Sequence, residues 1–508
     1  MAHLTILPIL LPLLAAIVLL LVPTRRIAVH RFVGLLSCTG LVAVAATLAL
    51  QADDGGTRVY LVGNWAAEIG ITLAADRLSA IMLLATSLLA LPCLWFATGG
   101  WDRRALHFHV LFQFQLMGLN GAFLTADLFN LFVFFEVLLI ASYGLLLSGA
   151  RGARVRSGLH YVAFNITAST LYLFAVGYIY GITGALNMAE VAVRVAAMPA
   201  AEAAPLKAAA GLLLVVFCAK AALLPMYFWL PETYARSPAA VAALFAVMTK
   251  LGVYTVLRVF TLVFGAEAGE LANLAWPWLL PLGAATLVLA TLGALAAPSI
   301  RLLAAYLVLG SAATLFIALG LASAEALGAG LYYLLHSTLV GGALFLLADL
   351  IRRNRDNAGD SLRKLDHMKH RTLLGLMFFV AAVSVAGLPP LSGFVGKFSL
   401  LAAVPDAQAG WIWPVILGTS LMVLVALASA ASQLFWREGG EPAPPGAIPR
   451  LRKSEVGATL ALLAMGVLLS VFAGPVLRYT QDAGAQLVAP AAYIDAVRGA
   501  LPKPGVEP

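Results

Sequence analysis

Charge is scarce in this sequence: Asp, Glu, Lys and Arg make up 11% of its 508 residues, against 62% apolar residues. That leaves too little polar surface to clothe a soluble globule of this size, so the alternative solvent is lipid. Cysteine is nearly absent. Cys38, Cys93 and Cys218 fall in apolar stretches, form no ligand-spaced pair, and read as small core residues rather than a disulfide, redox or metal site. Alternating ten-residue strands are missing, which argues against an outer-membrane barrel. The formal charge of +8 does not point to nucleic acid, because the basic residues are scattered over short loops and no motif gathers them into a groove. No connection is long enough for a soluble catalytic domain, and no cofactor motif is present.

What is abundant is apolar runs of roughly 20 residues, each able to cross an apolar layer about 30 Å thick with its backbone groups satisfied internally. The fold class expected is therefore an all-α polytopic membrane protein with about fourteen transmembrane helices. The spans read as 4 to 22, 28 to 50, 71 to 97, 107 to 124, 127 to 147, 159 to 181, 207 to 230, 239 to 264, 275 to 297, 301 to 322, 328 to 350, 371 to 400, 413 to 435 and 456 to 475. The first run, Leu4 to Val22, lacks a basic leader and a clear cleavage signal and reads as a retained span.

Charge orients these spans. With the N-terminus outside, the cytoplasmic loops receive Arg25, Arg26 and Arg31, then Arg103 and Arg104, then Arg151, Arg154 and Arg156. The same side takes Arg301, the basic stretch from Arg352 through Arg371, and Arg437, Arg450, Arg452 and Lys453, while Asp53, Asp54, Glu267 and Glu270 fall opposite. The alternation holds along the chain and places both termini outside. The longest inner connections, about 351 to 370 and 436 to 455, are short; the Pro-rich segment 441 to 446 reads as an irregular loop.

The informative residues are ionisable groups in the wrong solvent. Glu136 lies within Leu128-Phe-Asn-Leu-Phe-Val-Phe-Phe-Glu-Val-Leu-Leu-Ile. A carboxylate facing lipid there would cost several kcal/mol, so it faces protein or water, either as a static ion pair or as a proton-exchanging group. Lys220 lies in Phe217-Cys-Ala-Lys-Ala-Ala-Leu-Leu-Pro-Met-Tyr-Phe-Trp-Leu-Pro, too central to snorkel easily. Pro225 removes an amide proton and clashes with the preceding turn, so the helix is predicted to break beside the lysine. Lys250, in Val247-Met-Thr-Lys-Leu-Gly, has no easy exit either, whereas Arg258 is placed nearer the outer boundary, within reach of headgroups.

The second half repeats the theme. His336, in Leu331-Tyr-Tyr-Leu-Leu-His-Ser-Thr-Leu-Val-Gly-Gly-Ala, can donate and accept protons near neutral pH or simply be hydrogen-bonded. In Ala386-Gly-Leu-Pro-Pro-Leu-Ser-Gly-Phe-Val-Gly-Lys-Phe, Pro389, Pro390 and Gly393 predict a discontinuity that Lys397 follows. A shift of 172 positions sets Tyr161 against Tyr333 and Phe164 against His336, and Lys220 and Lys397 both sit beside breaks. The order suggests two inverted five-helix repeats, 107–264 and 275–435, after N-terminal helices in 1–106 and before a C-terminal helix at 456–475 and a tail at 476–508.

At these residues the chain resembles the antiporter-like family shared by the D subunit of Mrp/Pha-type cation/proton antiporters and the large proton-pumping membrane subunits of respiratory complex I. The passages that carry it are Phe134-Phe-Glu-Val-Leu-Leu-Ile-Ala-Ser-Tyr, Ala219-Lys-Ala-Ala-Leu-Leu-Pro-Met-Tyr-Phe-Trp-Leu-Pro and Gly387-Leu-Pro-Pro-Leu-Ser-Gly-Phe-Val-Gly-Lys-Phe, with an opening Leu4-Thr-Ile-Leu-Pro-Ile-Leu-Leu-Pro-Leu-Leu that looks like the D subunit. The resemblance implies that Glu136 is the essential carboxylate, Lys220 the broken-helix lysine, Lys250 the central lysine and Lys397 the terminal lysine, a position that can be Lys or Glu among relatives. Some relatives carry a further Lys five residues after the histidine; here that position is Gly341. It also implies partner subunits in a hetero-oligomeric complex of the bacterial cytoplasmic membrane exchanging protons for Na⁺ or K⁺, with no cofactor and no assigned metal residue. The alternative it leaves is a proton-translocating subunit of NADH-quinone oxidoreductase.

Overall fold

A computed structural model describes residues 3–149, 152–355, 358–364, 366, 368–437 and 451–502. The Pro-rich loop expected at 441 to 446, Arg151 and Arg450 lie outside the described residues. The chain forms α1 (Leu7–Leu21), α2 (Ile27–Ala52), a hairpin of β1 (Arg58–Leu61) and β2 (Thr72–Ala75), then α3 (Arg77–Ala97), α4 (Phe108–Leu124), α5 (Leu128–Leu147) and α6 (Ala153–Thr183). There follow α7 (Met188–Ala196), α8 (Ala203–Lys220), α9 (Trp229–Arg236), α10 (Ala239–Leu262), α11 (Trp276–Ala296), α12 (Ile300–Gly320) and α13 (Ala324–Arg353). The last elements are α14 (Arg371–Ala386), α15 (Ser392–Ala402), α16 (Asp406–Ala431), α17 (Lys453–Val471), α18 (Ala473–Val488) and α19 (Ala491–Arg498).

This is a mostly helical, multi-pass membrane protein: among the described residues, eleven helices are long and apolar enough to cross a membrane, and α1 and α14 are shorter apolar helices. Their starts are fixed locally. Asp76, Asp127, Ser299 and Ser323 each accept a hydrogen bond from the amide three residues on, supplying a first-turn donor with a partner. Burial then sorts the helices. In α10 every residue from Ala240 to Leu262 is buried, and α13 is nearly so, which makes these two the axis of the molecule. α2, α6 and α16 keep large apolar side chains such as Leu36, Phe174 and Leu421 exposed, as helices at a lipid boundary do.

Two expected spans are each divided. Residues 207 to 230 become α8, an unwound 221–225 carrying Pro225, a single 3-10 turn (Met226–Phe228) and the start of α9; residues 371 to 400 become α14, an unwound 387–391 carrying Pro389 and Pro390, and α15. Gly393, grouped with the break in the sequence, lies instead within the first turn of α15. The segment read as a C-terminal tail begins inside α18. Tyr479 donates to the Ala49 carbonyl and Gln486 to that of Gly55, so the amphipathic α18 is pinned to the end of α2.

Candidate functional site

The buried ionisable residues form two groups around the axis. On α5, the Glu136 Oε1 is sheltered and takes no hydrogen bond among the described residues. Its neighbour Phe135 presents its ring to Lys220, whose ammonium sits 4.7 Å from the ring centroid and donates to Ser169 Oγ of α6 at 3.2 Å. Lys220 is 5% exposed and feels the Glu136 carboxylate through space, without a direct ion pair. It is the last residue of α8, and the chain beyond it is held by side chains: Thr286 accepts from the Leu224 amide, and the Trp229 indole donates to the Ala219 carbonyl. That satisfies backbone groups which the lost helical turns leave open.

The second group runs from α10 to α16. Lys250 is fully buried and donates to Ser311 Oγ of α12 at 2.6 Å. His336 on α13 bonds Ser392 Oγ through Nδ1 at 2.8 Å and lies within the fields of both Lys250 and Lys397. Lys397 donates to the carbonyls of Val385 and Ala386 at 3.2 and 3.1 Å and to Ser420 Oγ at 2.9 Å. The break after α14 thus turns the negative end of that helix onto an ammonium, which satisfies all three of its protons. A cavity of about 30 Å³ touches both Ser311 and Lys397, above the ~10–15 Å³ that one water needs.

The two groups meet where α10 packs against the break after Lys220. A Cβ on Gly252 would lie 2.6 Å from the Ala221 amide nitrogen, so α10 packs directly on the break after Lys220, but no polar contact links Lys220 to Lys250 among the described residues. Gly393 works by close approach too: a Cβ there would collide with the Ser384 carbonyl and come 2.9 Å from His336 Nε2. Gly341 faces Val308 and Ala246, so the site where some relatives are expected to have a lysine is closed by packing.

Sequence reasoning misplaced Arg258. It does not reach outward: it is 3% exposed, forked onto Asp76 at 2.7 and 2.6 Å, and covered by the Tyr493 ring of α19 at 4.9 Å. No local pattern could reveal a partner 182 residues away. A second polar cluster also escaped notice, in which Asp102 between α3 and α4 accepts two hydrogen bonds from Arg31 and lies 3.3 Å from His109 Nε2. Burial opposes its charge, but the bonds from His109 and Arg31 prevail and hold its carboxyl down at about 2. Among the described residues, no three His, Cys, Asp or Glu side chains converge as a metal site would require, and Cys38, Cys93 and Cys218 are buried and unpaired.

Fold and site together define a multi-pass membrane protein with a line of hydroxyl-partnered lysines and a histidine through its core. A family profile described as NADH:quinone oxidoreductase/Mrp antiporter, TM, matches residues 125–424. The chain is 40% identical to the D subunit of a probable K(+)/H(+) antiporter of Rhizobium meliloti (strain 1021), with 98% of each chain covered. It is 36% identical to the D subunit of a Na(+)/H(+) antiporter of Alkalihalophilus pseudofirmus, over 98% of this chain and 99% of that one. A chain in the structure of the Mrp complex from Dietzia sp. DQ12-45-1b superposes with a TM-score of 0.85 at 29% identity, covering 98% of this chain and 100% of the other. The protein belongs to the NADH:quinone oxidoreductase/Mrp antiporter transmembrane family.

Proposed function

We propose that this chain is the D subunit of a multisubunit Na⁺ or K⁺/proton antiporter and that it carries protons along Glu136, Lys220, Lys250, His336 and Lys397. The observation that carries the reading is the environment of the lysines: three lie inside apolar helices, each on a serine hydroxyl, and among the described residues none is in an ion pair with a carboxylate. Lys220 and Lys250, each hydrogen-bonded to one serine hydroxyl, keep that partner in either protonation state, because the hydroxyl can donate as well as accept. Protonation at one position alters the field at the next, which couples proton uptake on one side to release on the other.

The finer architecture belongs to the same proposal. Fourteen crossings with both termini outside fit the loop charges, and two inverted five-helix units, 107–264 and 275–435, would give each half one broken helix. The complex would lie in the bacterial cytoplasmic membrane with other antiporter subunits as partners and Na⁺ or K⁺ as the exchanged ion. Relatives named as antiporter D subunits match over nearly full length, which favours this reading over a proton-translocating subunit of NADH-quinone oxidoreductase. Purification of the native complex separates the two, since only the second brings quinone and iron–sulfur subunits. Vesicles holding the assembled complex test the transport role: Glu136→Gln and Lys220→Ala are expected to abolish cation-driven proton flux at normal complex abundance, and unchanged flux in both overturns it.

A further inference from the structure

Apart from the lysine line, one cavity gathers charge mostly of one sign. It measures about 350 Å³ and lies where the α3–α4 connection meets the ends of α6, α10, α12, α13 and α17. Arg104, Arg154, Arg301, Arg352, Arg353 and Arg452 all line it, with Asp349 and Glu455 as its acidic members. Those two acids are already engaged: Asp349 accepts from Arg352 at 2.7 Å, and Glu455 is bound by Arg353 at 3.0 Å. Arg301 pairs with Asp360 at 2.6 Å. Among the described residues Arg104 and Arg452 have no acidic partner, and Arg154, which donates to the Arg236 and Ser148 carbonyls, bears the charges of Arg301 and Arg352. The cluster therefore carries more positive charge than its carboxylates balance, with Arg104 and Arg452 exposed beside it.

Donors without acceptors point the same way. Trp101 borders the cavity, and its indole N–H, sheltered from solvent, donates to nothing among the described residues. Ala239 and Ala240, the first residues of α10, border it, and no side chain caps that helix. An uncapped helix start turns amide donors and a partial positive charge toward the space. Guanidinium forks, an indole N–H and helix amides together suit a phosphate better than a carboxylate, having more donors than a carboxylate can use.

We propose that this cavity is a binding site for a phosphate-bearing anion, taken either from an anionic phospholipid headgroup or from free phosphate. It lies on the face assigned to the cytoplasm by the loop charges, where basic pockets between helix ends meet anionic headgroups. The bound phosphate relieves the repulsion among the arginines and ties together the ends of α10 and α13, the helices that hold Lys250 and His336.

The test uses the assembled complex and the variants Arg104→Gln/Arg452→Gln, which break no ion pair, and Trp101→Phe, which removes one donor. Mass spectrometry counts phosphatidylglycerol retained after exchange from vesicles of phosphatidylglycerol and phosphatidylcholine; thermal shift in phosphatidylcholine alone follows titration with inorganic phosphate. Retention of one more phosphatidylglycerol by the wild type, with at least a tenfold loss of affinity in the double variant, supports the lipid source. A phosphate-dependent thermal shift that the variants abolish, without that retention, supports free phosphate. Variants indistinguishable from the wild type in both arms, or a wild type that responds to neither ligand, overturn the proposal.

Discussion

Lys397 and Lys250 carry the same group in unlike surroundings. Lys397 has three acceptors, two of them carbonyls at the end of α14, whereas Lys250 has the single hydroxyl of Ser311. Losing one acceptor at Lys397 is therefore mild: Ser420→Ala is expected to cost about 0.5–1.5 kcal/mol in thermal stability of the complex and to leave exchange within about threefold of wild type. Gly393→Ala is harsher, because the added methyl meets a backbone carbonyl that cannot swing away. It should cost about 1–3 kcal/mol or more and displace His336, read as a lowered melting temperature together with lost exchange. Asp102 gives a pH signature. Its carboxyl sits at about 2, below the ~3.9 of an unfolded chain, so its contribution is fully present above pH ~4 and disappears as pH falls toward 2. Asp102→Asn should flatten that part of the stability-versus-pH curve, with lower stability at neutral pH. At this scale a lone charge in an apolar run marked Lys250 as a buried group, but the same signal at Arg258 did not reveal its partner. The hydroxyls at Ser169, Ser311, Ser392 and Ser420 gave no such signal, since serine is common in apolar helices and only the fold aligns these four with their partners.

At the scale of elements, proline announced the interruptions after α8 and α14 because it cannot donate to the helix ladder. What surrounds the interruptions was not legible. The contact of Gly252 with Ala221 and the capping of the Leu224 amide by Thr286 both depend on which helix face meets which neighbour, and nearly uniform apolarity erases the periodicity that would assign faces. The same blindness displaced Arg258, whose partner Asp76 caps the start of α3. This pair locks α3, α10 and α19 rather than joining the lysine line. Asp76→Asn or Arg258→Met leaves one buried charge without its counterpart, at an expected cost of about 3–5 kcal/mol. The yield of complex should fall while the surviving complexes exchange cations at near-normal specific rates; normal yield would mean that the pair is dispensable.

For the whole molecule, composition alone defined the solvent, because a chain with 11% charged residues has no other place to bury its surface. The amphipathic α18 and α19 were harder to see: they are too polar to resemble spans, and their apolar faces make sense only against α13 and α7. On the proposed path Lys250, on the buried α10, stands between the Glu136–Lys220 group and the His336–Lys397 group. Lys250→Met removes the amine while Ser311 still donates to the Val308 carbonyl, which leaves no stranded charge. The most direct measurement is cation-driven proton flux in vesicles containing the assembled Lys250→Met complex at wild-type abundance. Flux at background is the result predicted here; flux equal to wild type would contradict proton passage along this line.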